Sequence, residues 1–214
     1  MAATTAPVSS LHTARRLAAL EPSATLAMAA RAAALAAAGK DVIDLSVGEP
    51  DFPTPAHVCR AAEEAIRAGK TKYTPAAGIP ALRAAVADDY GKRTGIAVAP
   101  AQVVISNGAK HALHNAFTAL LDEHDEVVVP TPYWVSYAEL VKLTGAVPVL
   151  VETRIEDDFK LRPDALREAI TPRSRMLLVC SPSNPTGVVY TPAELAALAD
   201  VATAADLALS LIHI

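Results

Sequence analysis

Asn184 stands between two prolines in Ser181-Pro-Ser-Asn-Pro-Thr-Gly187. An amide both donates and accepts hydrogen bonds, and flanking prolines strip freedom from the backbone that carries it. The Asn184–Pro185 bond is a candidate cis peptide. Such stiffness suits a side chain that must meet one atom of a bound molecule; alone, the stretch is equally a proline-rich surface turn. Upstream, Gly108-Ala109-Lys110 opens a helical pattern. Backbone N–H groups at a helix N-terminus, with an ammonium nearby, can hold a phosphate, although the same tripeptide serves in many turns into a helix. Trp134, the only tryptophan, follows Thr131-Pro132, a second candidate cis bond. Its indole suits stacking on a flat ring, or a place in a core or an interface. Tyr73 lies in Lys72-Tyr-Thr-Pro75, and Gly48 in Ser46-Val-Gly-Glu-Pro-Asp-Phe52.

The remaining reactive side chains do not make a site. His111 and His114 share a helix face and His124 follows, but further ligands at a suitable spacing are lacking, so no metal centre is expected. Cys59 and Cys180 have neither metal nor redox spacing, which points to a reducing compartment, a cytoplasmic location and no disulfide. Glu156-Asp157-Asp158 reads as a solvated loop. A net charge of −4 without a basic stripe argues against a nucleic-acid partner. The alanine-rich residues 29–38 are interrupted by Arg31 and too short to cross a bilayer, so no membrane partner is expected. The N-terminus lacks the apolar centre of a secretory signal and reads as a disordered or docking arm.

These residues need elements to hold them. The apolar run Met176-Leu-Leu-Val-Cys180 predicts a buried parallel strand that ends where the Asn184 loop begins, and open α/β sheets bind ligands at that end of their strands. Thr191-Pro-Ala-Glu194 predicts a helix start, with Thr191 as N-cap, Pro192 in the first helical position and Glu194 closing a capping box. Helices are expected over residues 23–39, 54–69 and 79–93, a short strand over 42–45 and a loop over 48–55. Beyond them, strands over 102–106, 126–129, 147–151 and 175–180 alternate with helices over 109–121, 135–143, 163–170 and 192–204, and another strand follows residue 204. That alternation predicts an α/β fold, a mostly parallel sheet flanked by helices. With 214 residues the chain is long enough for one large domain and part of a second.

The segments around Gly48, Tyr73, Ser106-Asn-Gly-Ala-Lys110, Pro132-Tyr-Trp134 and Asn184 occur in a fixed order, each on or beside an expected element. Together they resemble the class I aminotransferases that use pyridoxal phosphate, most of all the aspartate aminotransferase-like branch. The resemblance runs over residues 22–207. It implies the type I fold of that family, a large α/β domain with a smaller one built from both chain ends. The division expected is an N-terminal arm and partial small domain over 1–47, an incomplete cofactor-binding large domain over 48–206 and an atypical tail over 207–214. It implies pyridoxal phosphate as cofactor, with Gly108, Ala109 and Lys110 at its phosphate, or Lys110 reaching the substrate instead. Trp134 is implied on the pyridine face, Asn184 at the phenolic oxygen, and Tyr73 across a two-fold interface, hence a homodimer. Substrate contacts fall to the Gly48 backbone, Trp134 and Asn184. The reaction implied moves an amino group between an amino acid, aspartate or a relative, and a 2-oxo acid.

The same resemblance implies groups that this sequence lacks. The family pattern places the lysine that holds the cofactor aldehyde as a Schiff base after the Ser181–Gly187 loop, an acid for the pyridine nitrogen on the next strand, and a late arginine for the substrate carboxylate. Residues 188–214 contain no lysine, and Ile212 stands about where the aspartate is expected. The expectation is an N-terminal fragment with residues 207–214 foreign to the pattern, inactive by itself. A fragment of a C–S or β-lyase on the same cofactor, and a non-catalytic truncated product, are the alternatives. A dinucleotide-binding dehydrogenase is the outside option, and it fails because no G-x-G-x-x-G follows a strand.

Overall fold

The computed structural model describes residues 14–212. The described residues divide into two compact units, one made of residues 24–115 and the other of residues 14–23 together with 116–212.

The second of these is an α/β unit. Its strands are β1 (Glu126–Thr131), β2 (Val147–Glu152), β3 (Ser174–Cys180) and β4 (Ala208–Ile212), all parallel in the order β2-β1-β3-β4. Val127, Val128 and Val129 of β1 and Met176, Leu177, Leu178 and Val179 of β3 are all buried, as central parallel strands covered on both faces require. Successive side chains alternate faces. One face, Val128, Leu177 and Val179, packs with Leu166, Leu198, Val201 and Leu207 into a core. Leu166 comes from helix α6 (Pro163–Ala169), and Leu198 and Val201 from helix α7 (Pro192–Ala204). Pro148 sits in β2, at the sheet edge, where a missing N–H costs no ladder bond. Helix α5 (Ser136–Leu143) links β1 to β2 and buries Tyr137, Ala138, Leu140 and Val141. A short 3-10 turn, Arg15–Ala19, precedes Glu21, whose N–H donates to Glu139 of α5 at 2.9 Å.

The α/β class and the alternation over 126–212 are as expected. The α7 capping box is made: Thr191 N–H donates to Glu194 Oε2 at 2.7 Å and Glu194 N–H to Thr191 Oγ1 at 3.3 Å. Residues 208–212 form β4, paired from Met176↔Ala208 to Cys180↔Ile212.

The other unit carries helices α1 (Ala24–Ala37), α2 (Ala56–Arg67) and α3 (Pro80–Thr94), a 3-10 turn at Pro100–Gln102 and the start of α4 (Gly108–Leu120). Proline opens α3 and Gly95 closes it in the left-handed conformation. The strands expected over 42–45 and 102–106 are absent here. A β-strand exists only where a neighbour takes its N–H and C=O groups, and among the described residues no strand pairs with either segment. Ser46 turns back on Asp44, its N–H and hydroxyl donating to Asp44 Oδ1 at 2.9 and 2.6 Å. Val103 C=O accepts from Arg83 Nε at 2.8 Å, and Ile105 N–H donates to Ala77 C=O at 3.0 Å. Gly78 makes that contact possible: with φ +103°, a Cβ there would lie 2.5 Å from Ile105 Cγ1.

Candidate functional site

In the α/β unit, two loops leave the C-terminal ends of adjacent strands. Residues 132–135 follow β1 and carry Trp134; residues 181–190 follow β3 and carry Asn184. Three X-Pro bonds are cis here: Thr131–Pro132, Ser181–Pro182 and Asn184–Pro185. Thr153, just past β2, donates its hydroxyl to Thr131 C=O and so holds the start of the first loop. The second loop is closed on itself, with Ser183 N–H to Val188 C=O at 2.8 Å and Gly187 N–H to Ser183 C=O at 2.8 Å. It is anchored on two sides. Ser181 N–H donates to Ile212 C=O of β4 at 3.0 Å, and Tyr190 N–H donates to Ser181 Oγ at 3.1 Å.

A small cavity lies beneath the loops, lined among others by Pro132, Tyr133, Tyr137, Cys180, Ser183 and Asn184. Its volume of about 20 Å³ admits one water and no ring. At the open face above it, Asn184 is exposed and Trp134 half-buried. Trp134 meets Tyr137 edge-on, ring centroids 5.4 Å apart and planes at 85°. That is the favoured geometry for two quadrupolar rings, and it fixes how the indole is turned.

Tyr137 is 1% exposed, and burial, then the neighbouring Cys180 thiol, raises its pKa. Cys180 Sγ in turn donates to Pro182 C=O at 3.2 Å. Phe159 also lines the cavity, from a left-handed backbone with φ 53°. A non-glycine residue accepts that at a cost of about 1–2 kcal/mol. Tyr190 is buried with its hydroxyl taking the Leu161 N–H at 2.7 Å; burial raises its pKa and that N–H opposes the rise. Sequence reasoning does not single out these four residues. In the sequence Tyr137 and Cys180 look like apolar filler of a helix and a strand. Phe159 directly follows the acidic run read as a solvated loop. Only the i, i+3 spacing of Trp134 and Tyr137 carries a signal.

The two lysines of the unit are paired. Lys160 Nζ reaches Glu194 at 3.0 and 3.1 Å, and Lys142 Nζ reaches Glu139 at 2.8 Å. Both lysines of this unit are thus engaged by carboxylates.

The other expected residues belong to the helical unit, on separate segments. Gly108 begins α4 with φ +81°, a conformation that excludes most side chains, and nothing stands within 4 Å of where a Cβ would be. Ala109 and Lys110 fill the first turn, exposed. The segment before them is irregular instead of the strand expected, and His111 Nδ1 accepts the Asn107 N–H at 3.1 Å. Tyr73 is fully exposed and Gly48 lies in an exposed irregular stretch. Among the described residues, no helix is long and apolar enough to cross a membrane.

Comparison with known proteins bears on these loops. The family pattern described as Aminotransferase class I and II matches residues 40–210. An aspartate aminotransferase of Geobacillus stearothermophilus is 52% identical over 191 residues, 89% of this chain and 49% of the relative. An aspartate/prephenate aminotransferase of Cereibacter sphaeroides is 50% identical over 185 residues, 86% of this chain and 46% of the relative. The solved aspartate aminotransferase of Thermus thermophilus with maleate superposes with a TM-score of 0.92 at 48% identity, covering 95% of this chain and 53% of the other. The chain spans about half the length of the curated relatives it matches.

Proposed function

We propose, for a chain that belongs to the class I and II aminotransferase family, that it is the portion of a pyridoxal phosphate-dependent aminotransferase that receives the cofactor ring. The observation that carries this reading is the pair of loops on adjacent strand ends, one offering an indole whose tilt is set by Tyr137, the other a proline-flanked amide exposed at the same end of the sheet. The residues fit the group. Trp134 covers one face of the ring, and the Asn184 amide donates to the phenolic oxygen and steadies its negative charge. The phosphate falls to Gly108, Ala109 and Lys110 by the chemistry of a helix N-terminus, a positive-φ glycine and an ammonium. When bound, the cofactor supplies an electron sink for chemistry at the substrate Cα. The chain's own part is to hold, orient and shield.

The full reaction proposed is transfer of an amino group between aspartate, or a related amino acid, and a 2-oxo acid. The names of the relatives support that choice, and those named for both aspartate and prephenate keep a prephenate acceptor as the second reading. Gly48 contributes a backbone N–H to the substrate carboxylate, alongside Trp134 and Asn184. Tyr73, exposed to its full extent, suits contact with a second copy in a homodimer. The free cysteines, Cys59 exposed and Cys180 buried, suit a cytoplasmic setting. We further infer that these 214 residues do not transaminate alone, since no lysine follows Lys160 and the two lysines of the α/β unit sit in ion pairs.

Titration with pyridoxal phosphate while following Trp134 fluorescence tests the reading, because Trp134 is the only tryptophan. Saturable quenching is expected, weakened about tenfold in Asn184→Ala by loss of a hydrogen bond to a charged oxygen. Borohydride treatment followed by peptide mapping is expected to leave no stoichiometric lysine adduct. Absence of saturable quenching, or one lysine labelled in full, overturns it.

A further inference from the structure

We propose that Phe159 is a positioning residue for the Asn184 amide, a wall set beneath the Asn184 loop by the two residues that follow it in the chain. The inference rests on the ring-binding reading above. Three consecutive residues carry it. Phe159, half-buried, lines the cavity under the loop together with Ser183 and Asn184. Lys160 Nζ reaches both carboxylate oxygens of Glu194, at 3.1 and 3.0 Å, and lies 6.0 Å from the centre of the Tyr190 ring. Leu161 N–H donates to the Tyr190 hydroxyl at 2.7 Å. Tyr190 ends the loop, and Glu194 stands in the first turn of α7. The segment that bears Phe159 is therefore fastened at two points to the downstream end of the loop whose cavity its ring lines.

The backbone at this place is held by its surroundings. Asp158 and Phe159 both adopt the left-handed region, φ 53° each, where non-glycine residues persist only if neighbouring contacts over-determine them. A 3-10 turn, Ile155–Asp157, supplies part of that constraint. Asp158 N–H donates to Ile155 C=O at 3.1 Å, Phe159 N–H to Arg154 C=O at 2.8 Å and Lys160 N–H to Asp157 C=O at 3.0 Å. Lys160 and Leu161 supply the rest. Glu194 is a fixed anchor, because its Oε2 also takes the Thr191 N–H at 2.7 Å and the Thr191 hydroxyl at 3.0 Å. The Lys160 side chain is 18% exposed, so solvent screens this pair less than a surface one. Leu161 joins the core with Leu198 and Tyr190, and Phe159 does not belong to that core. Its place is the wall of a cavity that admits one water. Without the ring that space widens, and the loop with its amide is free to shift inward. Phe159 touches no cofactor in this scheme; it acts through Asn184.

The test uses the full chain and two aldehydes, pyridoxal phosphate and 3-deoxypyridoxal phosphate, which lacks the phenolic oxygen assigned to Asn184. Affinities come from Trp134 fluorescence. The unsubstituted protein is expected to bind pyridoxal phosphate about tenfold more tightly than the deoxy compound, the worth of one hydrogen bond to a charged oxygen. Phe159→Ala should erase most of that preference, weakening pyridoxal phosphate about fivefold or more and leaving the deoxy compound unchanged. Lys160→Met should act in the same direction, Lys160→Arg should recover, and Phe159→Ala should add nothing in an Asn184→Ala background. A ligand-free readout runs beside these. Amide hydrogen exchange over residues 181–190 should quicken about fivefold in Phe159→Ala, while residues 126–131 of β1 keep their protection. An unchanged preference in Phe159→Ala, equal weakening of both aldehydes, or equal binding of the two by the unsubstituted protein overturns the proposal. If Phe159→Ala loses its far-UV circular dichroism, Lys160→Met and Lys160→Arg decide by the same preference. If the unsubstituted protein binds neither aldehyde, the ring-binding reading falls, and the exchange rates alone decide whether Phe159 holds the loop.

Discussion

Glu126 is the most consequential buried charge of the α/β unit, and replacing it with glutamine should destabilise the sheet in a pH-dependent way. Its side chain is 5% exposed at the N-terminal end of β1. Oε2 takes the Thr171 hydroxyl at 2.5 Å and the Ser174 hydroxyl at 3.4 Å; Oε1 takes Arg173 Nε at 3.0 Å and Nη2 at 2.6 Å. The backbone joins in, Glu126 N–H donating to Arg173 C=O at 2.9 Å. These bonds sit where the β1–β3 register shifts, Glu126 facing Ser174 but Val127 facing Met176, so they pin a ladder that slips by one residue. A hydrogen bond to a charged group contributes about 1.5–3 kcal/mol. Arg173 is 65% exposed, and its pairing counts little after solvent screening. The amide of Glu126→Gln would keep one acceptor and let Thr171 rotate to accept. The net loss for this substitution is therefore about 2–3 kcal/mol at neutral pH, set chiefly by the hydroxyl contacts. That is a large share of the roughly 5–15 kcal/mol that holds a domain folded.

The same residue dictates the pH window. The Thr171 hydroxyl, then Arg173, against the opposing effect of burial, hold the folded Glu126 pKa below its ordinary value of 4.5. A depressed carboxylate stabilises the fold above its unfolded pKa, and that contribution is lost as pH falls through the folded pKa. Urea unfolding followed by Trp134 fluorescence should show a gap of about 2–3 kcal/mol between the two proteins at pH 7. It should narrow steadily below about pH 4.5. A gap of the same size at about pH 3, below the ordinary carboxyl range, would refute the argument, since it would make Glu126 a matter of shape and not of charge.

Two further changes probe the scaffold around the loops. Tyr190→Phe strands the Leu161 N–H, now bonded at 2.7 Å in the core, and should lower stability by about 1–3 kcal/mol; an unchanged urea midpoint would mean that water replaces the hydroxyl. Thr191→Ala opens the α7 capping box and should cost about 1 kcal/mol, visible as a lower thermal midpoint, while the Lys160–Glu194 pair at 3.0 Å persists.

Much of this architecture is written locally. The α7 start needs only Thr191, Pro192 and Glu194 within one turn, and the cis bonds at Pro132 and Pro185 sit where isolated prolines in strand-end loops suggest them. The buried strands announce themselves as Val127–Val129 and Met176–Val179, because a parallel strand covered on both faces must be apolar at every position. Motif order, with Trp134 after one strand and Asn184 after another, marks the candidate loops in the sequence itself. What stays hidden there depends on distant partners. Residues 42–45 and 102–106 have strand-like composition, yet composition does not supply the neighbour a strand requires; the Asp44 side chain takes Ser46, and the backbone of 102–106 bonds to Arg83 and Ala77. Tyr137 and Cys180 are far apart along the chain. They line one cavity only because β1 and β3 pair side by side and α5 follows β1, a juxtaposition that long-range strand pairing decides and short-range patterning cannot express.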